Sequence, residues 1–70
     1  MEALSKFLKA KRKENNMTQI DLAMLSGLGL RFIRECEQGK ETLRLDKVRE
    51  LIGFFGYDFD FVIKDNVHYE

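Results

Sequence analysis

The feature that most limits how this chain can fold is a break between two short helical patterns at residues 27–29, which read Gly-Leu-Gly. The pattern before the break starts like a capping box, in which the Thr18 hydroxyl caps a backbone N–H and Asp21 lies in the first turn. Gly27 can take the positive φ angle that ends a helix, and Gly29 can cap the next one. The sequence therefore predicts a helix over residues 19–26, a tight turn and a second short helix.

The helix predicted over residues 30–38 has two chemically different faces. Its apolar face is formed by Phe32, Ile33 and Cys36. Its polar face follows the i, i+3, i+4, i+7 spacing of one side of a helix, has Leu30 at its edge, and comprises Arg31, Arg34, Glu35 and Gln38. We expect the apolar face to pack in the core and the polar face to meet solvent.

Two further segments have helical spacing, over residues 2–14 and residues 45–55. Glu37 falls near the buried side of the third helix, where a carboxylate needs a cation, and Arg12 of the first helix is the partner that we expect. The predicted fold is therefore mainly α, with four to five helices and a structural ion pair between Arg12 and Glu37.

The period of the pattern changes after Gly56. Tyr57, Phe59, Phe61 and Ile63 alternate with other residues at the two-residue period of a β-strand, predicted over residues 57–64. A lone strand leaves its backbone groups unpaired, so we expect antiparallel pairing with a second copy of the chain. We expect Phe61 at the two-fold axis and an aromatic dimer interface that comprises Phe55, Tyr57, Phe59, Phe61 and Ile63. Residues 65–70 would form a tail.

Length and composition limit the function. Seventy residues make one small domain, and the single cysteine excludes an internal disulfide and fits a reducing compartment. No apolar run is long enough for a membrane span, no signal peptide is evident, and no residues are spaced as a metal site or a catalytic constellation. We therefore expect a cytoplasmic protein that is not an enzyme and has no cofactor, metal or membrane partner.

The net charge of zero hides an asymmetry between the two parts of the chain. Residues 1–49 hold eleven of the twelve Lys and Arg residues and seven of the twelve Asp and Glu residues, a balance of +4. Residues 50–70 have a balance of −4. Opposite charges suggest two different roles for the two parts, one of them on an anionic surface.

A short helix, a glycine turn and a second helix with a polar outer stripe are typical of a helix-turn-helix, in which the second helix enters the DNA major groove. By spacing alone, a plain helical hairpin in a four-helix miniature is an equal alternative. The sequence itself resembles the Cro/phage-repressor (XRE) helix-turn-helix family through TQIDLA at residues 18–23, Gly27, Ile33 and E-x-G at residues 37–39. The stretch GKETLRLDKV at residues 39–48 and the strand pattern resemble the HipB-type antitoxins of that family.

The resemblance implies a lambda-repressor-like DNA-binding domain over residues 1–56, followed by the dimerisation strand. By this resemblance, the Arg12–Glu37 ion pair is a family feature as well. The residues expected to face DNA base edges are Gly29, Leu30, Arg31, Arg34 and Glu35. Those expected near phosphates are Thr18, Gln19, Gln38, Lys40 and Arg44. Gly29 and Leu30 depart from the serine and the polar residue usual in the family, so Leu30 could contact a thymine methyl instead.

The function that this resemblance implies is sequence-specific repression of transcription by a homodimer on a palindromic operator. The HipB-like features suggest an autoregulating antitoxin with a HipA-like kinase toxin as partner. Two alternatives stay open: a stand-alone phage-type regulator, and a protein-interaction module that kept the fold but lost DNA binding.

Overall fold

The computed structural model describes residues 1–63 and shows a mainly helical protein. Four helices follow each other along this part of the chain: α1 (Glu2–Glu14), α2 (Gln19–Ser26), α3 (Leu30–Glu37) and α4 (Leu45–Phe54). The helices begin where the sequence pattern places them, and α3 and α4 each end one residue earlier, so the predicted four-helix arrangement is confirmed. Within residues 1–63, no helix is both long and apolar enough to cross a membrane.

Local side-chain chemistry explains the bounds of α2. The Thr18 hydroxyl accepts a hydrogen bond from the Asp21 N–H at 3.0 Å, and the Asp21 carboxylate accepts one from the Thr18 N–H at 2.9 Å. This is a complete capping box. At the other end, Gly27 has a φ angle of +76°, which ends the helix in the left-handed conformation. Gly29 then caps α3 in an extended conformation, with φ −63° and ψ 149°.

The core lies where α3 packs against both α1 and α2. Burial of each large aliphatic side chain contributes about 1.5–3 kcal/mol, which is the main source of stability in so small a domain. The buried apolar residues are Leu4, Leu8, Leu22, Leu28, Ile33, Cys36, Val48, Leu51 and Ile52. Because α3 contributes Ile33 and Cys36 to this core, its opposite face is fixed toward solvent.

Residues 57–63 leave the helical core in a conformation without regular secondary structure. Arg49 on α4 forms a bidentate ion pair with Asp58, with Nε–Oδ1 and Nη2–Oδ2 distances of 2.9 Å each. The Tyr57 ring packs edge-on against Phe7, with 4.8 Å between the centroids. These contacts fasten the start of the segment to the helices, whereas Phe61 beyond it is fully exposed.

The strand predicted over residues 57–64 is absent from the described part of the chain, and residues 64–70 lie outside it. The physical reason is that strand hydrogen bonds need a second strand, which one copy of residues 1–63 does not supply. Phe55 is one of the residues predicted for the dimer interface. It packs against the protomer's own core, with its ring 6.3 Å from that of Phe7. Pairing across a dimer stays a prediction.

Candidate nucleic-acid interface

The outward face of α3 carries the polar stripe that the sequence predicts. Arg31 extends into solvent, with 93% of its side chain exposed. Arg34 and Gln38 are also exposed, whereas Glu35 and Leu30 are half-buried at the edges of the stripe. The turn residue Gly29 is exposed as well. This face therefore presents the two guanidinium groups of Arg31 and Arg34 beside the apolar side chain of Leu30.

A cleft of about 350 Å³ lies on one side of α3, between its first turns and the segment that leads into α4. Arg31 and Glu35 line it from α3, and Lys40 and Arg44 line it from the connecting segment. Lys47 on the first turns of α4 also lines it, a cation that sequence reasoning missed because its position depends on how α4 crosses α3. Four cations and one carboxylate make this cleft suited to an anion.

The only carboxylate lining this cleft is already paired. Glu35 Oε2 accepts a hydrogen bond from Lys40 Nζ at 2.8 Å, and Arg31 Nε lies 4.0 Å from the same oxygen. The hydrogen bond from Lys40, with the charges of Lys40 and Arg31, holds the pKa of Glu35 below its usual value despite partial desolvation. Glu35 therefore stays ionised in the free protein, and its predicted contact with a base edge competes with this pairing.

A second cleft, of about 410 Å³, lies on the other side of α3 at the start of α2. Thr18 and Gln19 line it beside Arg34 of α3. The structure thus brings Arg34, predicted to face bases, together with two residues predicted to lie near phosphates. The positive end of the α2 dipole and its first N–H groups lie at the same place.

A buried network fixes the start of α2 to α1 and α3. Arg12 donates two hydrogen bonds to Glu37, from Nε at 2.8 Å and Nη2 at 3.0 Å, so the structure contains the expected ion pair. Arg12 Nη1 also donates to the Met17 carbonyl at 3.0 Å. Gln19 Nε2 donates to Glu37 Oε1 at 3.2 Å, a contact that the sequence did not indicate. Gln19 is therefore oriented before any ligand binds.

The pKa values of this network indicate that both partners are charged. Burial raises the pKa of Glu37, but hydrogen bonds from Arg12 and Gln19 and the charges of Arg12 and Lys9 outweigh it, and the pKa lies below its usual value. The hydrogen bond to Glu37 in turn raises the pKa of Arg12. The negative charge of the Glu37 carboxylate is thus compensated inside the domain by Arg12, so it does not repel an approaching phosphate.

Of the remaining predicted phosphate contacts, Lys40 and Arg44 lie on the α3–α4 side. Arg44 is exposed and forms an ion pair with Asp46, with 2.7 Å between Nη2 and Oδ2. The Lys40 ammonium donates its hydrogen bond to Glu35. Gln38 caps the C-terminal end of α3. The predicted phosphate contacts therefore lie on both sides of α3, with Thr18 and Gln19 on one side and Lys40 and Arg44 on the other.

Residues 1–63 contain no group of three or more side chains that could hold a metal ion. Cys36 is buried in the core, and burial and the neighbouring carboxylates Glu35 and Glu37 raise the pKa of its thiol to about 11. The thiol is therefore protonated and packs as a small apolar side chain.

A two-turn helix, a glycine turn and a second helix with a cationic outer face define a helix-turn-helix domain. The chain belongs to the Helix-turn-helix family HTH_3, which matches residues 8–62. It is 43% identical over 49 residues to an uncharacterized HTH-type transcriptional regulator, y4mF, of Sinorhizobium fredii (strain NBRC 101917 / NGR234), a match over 70% of this chain and 64% of that protein. No solved structure matches the chain significantly.

The match spans slightly less than two thirds of the length of this relative. The family match places residues 8–62 in a helix-turn-helix domain, and the name of the relative describes that protein as a transcriptional regulator.

Proposed function

We propose that this protein is a sequence-specific transcriptional repressor that binds a palindromic operator as a homodimer. The observation that carries the proposal is the outward face of α3, where exposed Arg31 and Arg34 stand between two clefts lined by cations and helix-start donors. The resemblance to the XRE family supports the same reading. Each α3 would lie in a major groove, with half-sites about 34 Å apart.

In this arrangement, α3 reads bases and its two flanks bind the backbone. Arg31 would make a bidentate contact with a guanine, which discriminates by about 1–3 kcal/mol, and Leu30 would contact a thymine methyl. Thr18 and Gln19 would bind phosphates on one flank. Lys40 and Arg44 would bind them on the other and supply affinity that depends on salt but not on sequence.

The experiment that tests DNA binding is a salt titration with duplexes. The full chain is mixed with its own upstream promoter fragment and with a scrambled duplex of equal length, and binding is followed by fluorescence anisotropy. We expect tighter binding to the promoter and a steep loss of affinity as salt rises. Equal binding to both duplexes would reject sequence specificity, and no binding at low salt would reject DNA binding itself.

We also propose that the regulator is the antitoxin of a HipBA-type toxin–antitoxin pair, with a HipA-like kinase as its second partner. The support is the resemblance of residues 39–48 and of the terminal alternating pattern to HipB-type antitoxins. A gene for a kinase toxin beside this one, and a stable complex of the two purified proteins, are the expected results. The absence of a toxin-like neighbour together with no complex would leave a stand-alone regulator.

A second candidate function is protein interaction without DNA binding. Two observations favour it: the net charge is zero, and Gly29 caps α3 without any side-chain hydrogen bond. The same titration separates the candidates, because an interaction module shows no duplex binding even at low salt.

A further inference from the structure

Three charged side chains that line the first cleft lie close together: Arg31 and Glu35 on α3, and Lys40 in the segment that follows it. Glu35 Oε2 lies between two cations, at 2.8 Å from Lys40 Nζ and at 4.0 Å from Arg31 Nε. Lys40 donates a hydrogen bond to Glu35, whereas Arg31 is too far from Glu35 for one. In the free protein Lys40 therefore holds the carboxylate, and within residues 1–63 the Arg31 guanidinium makes no hydrogen bond.

The three groups differ in how much they are free to move. Glu35 keeps 25% of its side chain exposed, whereas Arg31 keeps 93% and Lys40 keeps 44%. Glu35 is thus the most fixed of the three and lies one helical turn from Arg31, at the i, i+4 spacing that suits an ion pair. Arg31 Nε is 4.0 Å from Glu35 Oε2, so a shortening of about 1 Å brings the two groups within hydrogen-bond distance.

A nearby DNA backbone changes the balance between the two cations. Phosphates attract the Lys40 ammonium, which bears a compact charge at the rim of the cleft. A carboxylate left beside a polyanion without a cation is strongly unfavourable. The guanidinium of Arg31 is the cation in contact distance that remains.

We propose that Glu35 is a positioning residue for Arg31, which it takes over from Lys40 when the protein binds DNA, and that it does not itself read a base. This inference rests on the proposed function and adds the residue that sets its specificity. The planar guanidinium has donors on two edges. When Nε–H and one Nη–H face Glu35, the remaining Nη–H donors point away from the helix toward the guanine N7 and O6 acceptors.

The alternative role for Glu35 is direct contact with a cytosine amine. The two roles predict different patterns of base preference. A positioning residue acts at the base pair that Arg31 contacts and has no effect once Arg31 is removed. A direct reader acts at a base pair of its own, whether or not Arg31 is present.

The test is a base-preference measurement with the full chain. Duplexes with randomised central positions are selected with wild-type protein, and dissociation constants are then measured for the selected duplex and for all its single-base-pair variants. The variants compared are Arg31→Ala, Glu35→Gln and the double variant. Glu14→Gln is the matched control, since Glu14 is also paired with a lysine, at 3.2 Å, but lies on α1 outside both clefts.

We expect Glu35→Gln to reduce discrimination about five- to tenfold at the base pair where Arg31→Ala removes it. The double variant should show no loss beyond Arg31→Ala alone, and Glu14→Gln should match wild type. Loss of preference at a different base pair, or an unchanged preference in Glu35→Gln, would overturn the proposal while leaving the proposed function intact. Failure of the wild-type protein to select any duplex would overturn the proposed function, and this assignment with it.

Discussion

Arg31 and Arg34 are three residues apart on one exposed face, yet they lie in different surroundings. Arg31 stands at the edge of the cleft that contains Glu35 and Lys40, whereas Arg34 lines the cleft that contains Thr18 and Gln19. The first is free to meet a base edge, and the second is placed beside the donors at the start of α2. The two arginines are therefore expected to contribute differently to affinity and to specificity.

Replacing each arginine by alanine should separate these contributions. Arg31→Ala should cost about 1–3 kcal/mol on the selected duplex and little on a scrambled one, since a base contact is lost. Arg34→Ala should weaken both duplexes similarly and reduce the salt slope by about one, since a phosphate contact is lost. Anisotropy titrations at several salt concentrations measure both. If Arg34→Ala instead changes base preference, Arg34 contacts a base, as the family resemblance implies.

The Arg12–Glu37 ion pair should be costly to break. Only 17% of the Arg12 side chain and 3% of the Glu37 side chain are exposed, so Arg12→Met leaves a buried carboxylate without its cation. We expect the free energy of unfolding to fall by about 3 kcal/mol. The control is Lys6→Met, which breaks the exposed Glu2–Lys6 pair and should cost less than about 0.5 kcal/mol. Urea unfolding gives both values, and equal costs would contradict the assignment.

The same network predicts a pH dependence of stability. The pKa of Glu37 is lower in the folded chain than its ordinary value of about 4.3, so folding is favoured by ionised Glu37 above that pH. Its contribution is lost as the pH falls through the folded pKa. The stability difference between wild type and Glu37→Gln should therefore narrow from pH 7 to pH 3. A constant difference across this range would show that Glu37 does not titrate with unfolding.

At the scale of elements, the turn between α2 and α3 uses its two glycines differently. Gly27 has a φ angle of +76°, which costs a residue with a Cβ about 1–2 kcal/mol, whereas Gly29 has an ordinary φ angle of −63°. A Cβ added at Gly29 meets nothing within 4 Å. The turn therefore requires glycine at one end only.

Replacing each of these glycines by serine should change the stability of the protein in opposite directions. Gly29→Ser should stabilise the protein by a few tenths of a kcal/mol, because a hydroxyl can cap α3. Gly27→Ser is the matched variant and should destabilise it by about 1 kcal/mol. Thermal unfolding followed by circular dichroism measures both changes. A destabilised Gly29→Ser would show that the open space at this N-cap does not accept a side chain.

How far the sequence predicted these elements depends on the range of the interaction involved. The ends of α2 follow from residues within one turn, such as Thr18 with Asp21 and the positive φ of Gly27, so they were predictable. The contact of Gln19 with Glu37 depends on how α2 and α3 cross, and the contact of Glu35 with Lys40 depends on the course of the segment after α3. Periodicity specifies neither. The contact of Arg49 with Asp58 is not predicted either, because residues 57–64 are expected to pair with a second copy of the chain.

At the scale of the whole molecule, apolar surface is concentrated beyond the last helix. Phe61, Val62 and Ile63 are each more than 80% exposed in the single chain. Such a continuous run is typical of a surface that another chain covers. It supports the proposed homodimer, although the pairing predicted over residues 57–64 stays a prediction.

A charge placed in this run should therefore act on association and not on folding. We expect Phe61→Glu to shift the protein from dimer to monomer in sedimentation velocity while its thermal unfolding midpoint, measured at a concentration where both proteins are monomeric, stays within a few degrees. The matched control is Met24→Glu, because Met24 on α2 is 76% exposed and apolar but lies elsewhere. If both variants behave like wild type, residues 57–63 are not the dimer interface.

The bidentate bond between Arg49 and Asp58 has a geometric consequence for such a dimer. The contact with Arg49 brings Asp58 against α4, and only two residues separate Asp58 from Phe61, where the two-fold axis is expected. So short a connection between α4 and the two-fold axis would restrict the distance between the α3 helices of the two protomers. Operator half-sites moved apart by a few base pairs would then lose affinity, and a longer connection from inserted residues would relax that requirement.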